Sequence, residues 1–160
     1  MRLFLLTHST ERAKLSNTGR LVQEILGPRA VTIVWQRTTP DPQLLRQIAA
    51  SSVALCWPSV DEQEPKPAAV GDFVLIDATW QQARKIYNRS AYLHELPRVG
   101  LSVPGGSRYT LRRNQVEGGL CTLEAAATLM AMQGETREAL ALQERFERLV
   151  LEGPPSRSPV

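Results

Sequence analysis

The chain has 160 residues and a mass of 17.8 kDa, with 42% hydrophobic residues, 22% charged residues and a formal net charge of +3. A chain of this length buries roughly 68–70% of its unfolded surface and builds a core without staples, and its composition excludes a disordered chain and a disulfide-knotted miniprotein. No apolar run approaches the ~20 residues of a membrane helix. The apolar stretch after Met1-Arg2 stops at Thr7-His8, too short for a signal peptide, so the reading is a cytoplasmic protein.

Leu3–Leu6 reads as a buried strand. A helix opens at Asn17 or Thr18, carries Leu21, Val22, Ile25 and Leu26 on one face, and stops at Gly27-Pro28. Ala30–Trp35 is a second strand. Asp41-Pro42 is an N-cap followed by proline at the first helical position, for a helix bearing Leu44, Leu45 and Ile48 that ends near Ser51. Val53–Trp57 is a third strand, Pro58 to Pro67 a polar loop, and Phe73–Ile76 a fourth strand whose unbroken apolar run fits burial on both faces. Thr79–Tyr87 reads as helix and Arg98–Val103 as a fifth strand, followed by a glycine-rich basic loop from Pro104 to Gly119. Helices near Thr122–Met132 and Glu135–Leu151 close the chain, and the tail from Gly153 reads as frayed. Strands alternating with helices predict an α/β fold: a single domain over residues 1–152, with a mostly parallel sheet, helices on both faces, and a disordered tail over residues 153–160.

Cys56 and Cys121 lack the C-x₂₋₄-C spacing of a structural zinc site, and His8 and His94 add little, so no metal is expected and both cysteines read as small core residues. The charge is unevenly spread. Residues 77–113 hold seven basic side chains against Asp77 and Glu95, and the remainder holds twelve basic against fourteen acidic. Such a concentration is the footprint of a polyanion-binding face, although a solvated helix face with a basic loop gives the same count.

Ligands in open α/β sheets bind outside the carboxyl ends of the strands. There the chain reads Asp77-Ala78-Thr79-Trp80-Gln81-Gln82-Ala83-Arg84-Lys85. Asp77 either acts on a ligand in the crevice or caps the following helix, and Trp80 is either a stacking platform or core. Neither G-x-G-x-x-G nor G-x-x-x-x-G-K-[ST] is present, so dinucleotide and P-loop nucleotide binding have no support. Gly105-Gly106 and Gly118-Gly119 bracket Ser107-Arg108-Tyr109-Thr110-Leu111-Arg112-Arg113. In that loop arginines suit bidentate phosphate contacts and a tyrosine suits base stacking.

Asp77-Ala78-Thr79-Trp80 resembles the D-x-T-W motif of the DTW-domain family of tRNA-uridine aminocarboxypropyltransferases. Further segments resemble the family in order: Asn17-Thr18-Gly19-Arg20, Trp57-Pro58-Ser59, Leu96-Pro97-Arg98-Val99, Ser107-Arg108-Tyr109 with Leu111-Arg112-Arg113, and Leu120-Cys121-Thr122-Leu123-Glu124-Ala125. The likeness runs from about residue 8 to residue 127. The chain lacks the cysteine-rich N-terminal segment of many members, and Cys121 stands where serine is usual.

The resemblance implies a SPOUT-like fold with a C-terminal knot, a rare topology. It also implies transfer of the 3-amino-3-carboxypropyl group of S-adenosylmethionine to N3 of a uridine in tRNA, with methylthioadenosine released. By the same likeness Asp77 is the catalytic residue, either as general base toward N3 or as partner of the cofactor's ammonium. Thr18, Thr79, Trp80, Leu101, Leu120 and Thr122 would line the cofactor pocket, although Thr122 also reads as the cap of the next helix. Arg84, Lys85, Arg89, Arg108, Tyr109, Arg112 and Arg113 would meet the tRNA. A SPOUT-type RNA methyltransferase and a non-catalytic RNA-binding module are the rival readings, and a flavodoxin-like anion-binding domain is a third. Monomer and homodimer both fit.

Overall fold

The computed structural model of the chain describes residues 1–14, 17–50, 53–57, 71–101 and 121–152. Five strands form one sheet in the order β2-β1-β4-β3-β5, and every pairing is parallel. They are β1 (Leu3–Thr7), β2 (Ala30–Val34), β3 (Val53–Cys56), β4 (Asp72–Asp77) and β5 (Arg98–Val99). The helices are α1 (Ser9–Arg12), α2 (Gly19–Leu26), α3 (Pro42–Ala50), α4 (Trp80–Asn88), α5 (Ala91–His94), α6 (Thr122–Met132) and α7 (Thr136–Glu152), with a 3₁₀ turn at Gly27–Arg29.

Because successive strand side chains point to opposite faces, the continuous apolar runs of β1 and β4 feed two cores. Leu3, Leu5, Phe73 and Leu75 pack with Leu21 and Val22 of α2, Leu123 and Leu129 of α6, and Leu142 and Phe146 of α7. Phe4, Leu6 and Val74 pack on the other face with Leu44 of α3, Ile86 of α4 and Leu93 of α5. The predicted mostly parallel sheet and its two helical layers are therefore present. Each fully buried Leu or Phe side chain contributes about 1.5–3 kcal/mol relative to exposure.

Local signals explain the helix boundaries. Asp41 Oδ1 accepts the Leu44 N–H at 3.0 Å, so the predicted cap of α3 forms. Gly27, with φ 58°, ends α2 in a conformation disfavoured for other residues. At α4 the cap is Thr79 and not Asp77: Thr79 Oγ1 accepts the Gln82 N–H at 3.3 Å while Gln82 Oε1 accepts the Thr79 N–H at 3.0 Å. At α6 the cap position belongs to Cys121, whose N–H donates to Glu124 Oε1 at 3.2 Å, and Thr122 stands one residue inside. Both cap readings of the sequence therefore fail by one or two residues, and the two side chains turn elsewhere.

Three further differences stand out. The short α1 and α5 have too few turns to show a periodic apolar face. β3 stops at Cys56, and β5 stops at Val99 because Gly100 and Leu101 leave the ladder. The expected loops at 58–67 and 104–119, the final residues of the predicted fifth strand and the tail from 153 lie outside the described residues.

Both cysteines are free, with Cys121 buried and Cys56 half-buried. Desolvation pushes each thiol up to about 12, as expected of thiols that serve as packing.

Candidate active site

Thr7 and Asp77 are register partners at the carboxyl ends of β1 and β4. They end the rows Leu3-Leu5-Thr7 and Phe73-Leu75-Asp77, so both point to the face covered by α2 and α6. Each row is apolar until its last member, which is where a polar group meets the ends of the helices.

Asp77 is 2% exposed, and its carboxylate is a junction. Oδ2 accepts from Asn17 Nδ2 at 2.8 Å and lies 3.3 Å from Thr7 Oγ1; Oδ1 accepts from Thr122 Oγ1 at 2.9 Å. The Thr7 hydroxyl, also 3.2 Å from Leu5 O, divides one proton between two acceptors. Hydrogen bonds to an ionised carboxylate are the stronger kind, and burial makes them costly to lose.

The loop before α2 closes the arrangement. Asn17 Oδ1 accepts the Arg20 N–H at 3.1 Å, which orients the amide so that Nδ2 faces Asp77. Thr18, fully buried, accepts the Leu123 N–H on Oγ1 at 3.1 Å, tying the start of α2 to the start of α6. Gly19 completes the contact by having no side chain. A Cβ there would stand 2.4 Å from Asp77 Oδ2 and 2.8 Å from its Cγ, inside any tolerable approach.

Beside Asp77, among the neighbours of its Oδ2, lies a cavity of about 360 Å³. Its buried lining includes Thr7, Asn17, Gly19 and Asp77, and its exposed lining includes Arg12, Arg20 and Gln23. On the Oδ1 side stand Thr122 and the first turn of α6, with Glu124 buried in that turn.

The residues expected at the site thus divide. Thr18, Asp77 and Thr122 come together through direct hydrogen bonds or adjacent backbone, and Leu101 packs half-buried against the same core. The Thr79 side chain goes to the helix cap. Trp80 packs toward the aromatic row of the opposite face, its ring 5.1 Å from Trp57, which stacks on Tyr87 at 4.7 Å. Arg84, Lys85 and Arg89 are exposed on α4 or at its end. Leu120, Arg108, Tyr109, Arg112 and Arg113 lie outside the described residues. Among the described residues no three of His, Cys, Asp and Glu gather as a metal site requires.

Thr7 and Arg12 are absent from the sequence reading of the site, and Asn17, Gly19 and Arg20 enter it only as part of a motif. Thr7 is found once the register of β1 on β4 is known; its position as the polar end of an alternating row is the sequence signal.

The profile of the DTW domain matches residues 1–152. The chain belongs to the DTW-domain family. The chain is 32% identical over 139 residues to tRNA-uridine aminocarboxypropyltransferase 2 of Drosophila melanogaster, covering 82% of this chain and 55% of that protein. It is 24% identical over 139 residues to the mouse protein of the same name, covering 81% of this chain and 47% of that one. The DTW-domain chain described here therefore spans about half the length of the curated relatives it matches. No solved structure matches it significantly. Among the described residues no helix is long and apolar enough to cross a membrane.

Proposed function

We propose that this DTW-domain chain is a tRNA-modifying transferase that moves the 3-amino-3-carboxypropyl group of S-adenosylmethionine to N3 of a uridine in tRNA. The N3–C bond forms as the C–S bond breaks, the N3 proton leaves, and the sulfonium becomes the neutral thioether of methylthioadenosine. The observation that carries the reading is the meeting of Asn17-Thr18-Gly19, Asp77 and Thr122, three motif segments far apart in sequence, in one buried network. The names of the relatives supply the chemistry that the network would serve.

In this reading the cofactor lies on the Oδ1 side of Asp77, against Thr18, Thr122, Leu101 and Leu120, with the segment Thr79-Trp80 at its edge. S-adenosylmethionine supplies the electrophilic carbon, and the chain's task is to align that carbon with N3. Asp77 has two duties here. Its hydrogen bonds hold Asn17 and Thr122 in place, and its carboxylate, which lines the cavity with Thr7, Asn17 and Gly19, is proposed to take up the N3 proton. The tRNA lies across Arg84, Lys85 and Arg89 and the basic loop bearing Arg108, Tyr109, Arg112 and Arg113, in the cytoplasm. The fold is proposed to be SPOUT-like, with a C-terminal knot.

The test is mass spectrometry of nucleosides from unmodified tRNA incubated with the purified chain and S-adenosylmethionine. A uridine heavier by one aminocarboxypropyl group is expected. A methylated nucleoside would overturn the transfer chemistry, and unmodified tRNA would leave an RNA-binding role in its place.

A further inference from the structure

The cavity beside Asp77 has a distribution of charge that the family likeness did not single out. Its buried lining is one carboxylate with neutral donors and acceptors from Thr7 and Asn17, and its exposed lining carries two guanidinium groups, Arg12 at the end of α1 and Arg20 in the first turn of α2. The cations at this end of the sheet differ in how far they are neutralised. Lys14 is paired with the buried Glu11 at 2.7 Å. Arg20 reaches Glu24 only at 3.9 Å and is 40% exposed. The Arg12 guanidinium has no hydrogen-bond or ionic partner among the described residues. An exposed arginine without a partner beside a polar cavity is prepared for an oxyanion that presents two acceptor oxygens.

We propose that this cavity receives the acceptor nucleotide, with Arg12 and Arg20 gripping a phosphodiester of the RNA strand at its mouth and the unpaired base entering toward Asn17 and Asp77. This rests on the reading of tRNA as substrate. The buried Asp77 carboxylate repels an anion at the floor, which leaves the exposed mouth to the phosphate and the floor to an uncharged base. The two oxygens of Asp77 have different neighbours, Oδ1 the Thr122 hydroxyl and Oδ2 the Asn17 amide and Thr7 hydroxyl that line this cavity, so in this proposal cofactor and acceptor approach the same carboxylate from different sides. A volume near 360 Å³ lies within the ordinary range of small-molecule sites and suits a single splayed-out base.

The experiment compares the whole chain, Arg12→Ala/Arg20→Ala, Arg12→Lys/Arg20→Lys and a charge-matched control, Arg46→Ala/Arg148→Ala, whose residues are exposed on α3 and α7. Binding of an unmodified tRNA transcript is measured across a salt series, and binding of S-adenosylmethionine by calorimetry. The alanine pair is expected to weaken tRNA binding by about tenfold or more and to lower the salt slope by about 2, with S-adenosylmethionine affinity unchanged. The lysine pair should restore the slope, and the control should match wild type. An unchanged tRNA affinity and slope, or an equal loss in the control, overturns the proposal. So does lost S-adenosylmethionine binding with tRNA binding intact, which would give the arginines to the cofactor's carboxylate. Failure of the transfer reaction itself shows separately, as wild-type chain that binds tRNA and yields no modified uridine.

Discussion

Asn17 Nδ2 and Asp77 Oδ2 stand 2.8 Å apart across 60 residues of chain, so the amide of one motif is held by the carboxylate of another. Replacing Asp77 by Asn puts an amide where two acceptor oxygens now face the Asn17 amide and the Thr122 hydroxyl. We expect Asp77→Asn to bind S-adenosylmethionine within a few-fold of wild type and to lose turnover by about 10²–10⁴-fold, the range of acid-base contributions. Calorimetry and nucleoside mass spectrometry check both halves. Wild-type rates would remove Asp77 from the chemistry, and lost cofactor binding would make it a scaffold alone.

Gly19 is the position where the backbone meets that carboxylate. A methyl group there has no room without moving Asp77 away from Asn17 or Thr122. Gly19→Ala is expected to cost ~1–3 kcal/mol, the usual penalty of overpacking. In an Asp77→Ala background the same substitution should cost markedly less, because the obstructing Cγ and Oδ2 are gone. Urea unfolding of the four proteins measures this, and equal costs in the two backgrounds would contradict the close approach.

Thr18 supplies the acceptor for a buried N–H of α6. Thr18→Val keeps the shape and leaves the Leu123 N–H without its partner, at a cost of ~1–3 kcal/mol, with the melting temperature falling about 2–4 °C per kcal/mol in a chain of this size. Thr18→Ser keeps the oxygen and should stay closer to wild type. A serine variant as unstable as the valine one would assign Thr18 to packing.

Glu135 sits beside Arg29 and the Met1 ammonium. Burial alone would raise its carboxyl, but the hydrogen bond and charge of Arg29, helped by the Met1 ammonium, outweigh it and hold the group below its ordinary 4.5. A carboxyl lowered in the folded state contributes stability above its unfolded value and loses it as pH falls through the folded value. Glu135→Gln should therefore be less stable than wild type at neutral pH, with the gap closed at an acidic pH below the lowered folded value. Urea midpoints at the two pH values test this, and a constant gap would exclude the titration.

The strands were legible because a sheet covered on both faces writes its strands as unbroken apolar runs, as at Leu3–Leu6 and Phe73–Ile76. Asp77 and Thr122 were legible as site candidates, but their alternative readings as helix caps were not separable. A shift of one or two residues in where the chain turns decides whether an oxygen caps a helix or reaches across the sheet, and here Thr79 and Cys121 take the cap positions. Thr7 was not legible because it acts through Asp77, 70 residues away, fixed only by the register of β1 on β4, and Gly19 was legible only as a motif member because its contact with Asp77 depends on where the start of α2 packs. Arg12 lies in a helix of four residues, shorter than any window in which periodicity appears. The basic segment pointed instead to α4, where Arg84 and Lys85 are exposed.

The strand order also sets a sequence of events during synthesis. β1 leaves the ribosome first, yet it stands between β2 and β4, and its partner Asp77 is separated from Thr7 by 70 residues. At ~5–20 residues per second β1 waits roughly 4–14 s for its second neighbour, its apolar side chains exposed to any other nascent chain nearby. Parallel pairings of such long range fold slowly once available, because the loop must close before the ladder compensates. The Asp77 network then waits a further 45 residues for Thr122. The hydrogen bonds around Asp77 therefore close only after Thr122 has emerged, and a ribosome stalled before residue 122 holds all five described strands with that junction unfinished.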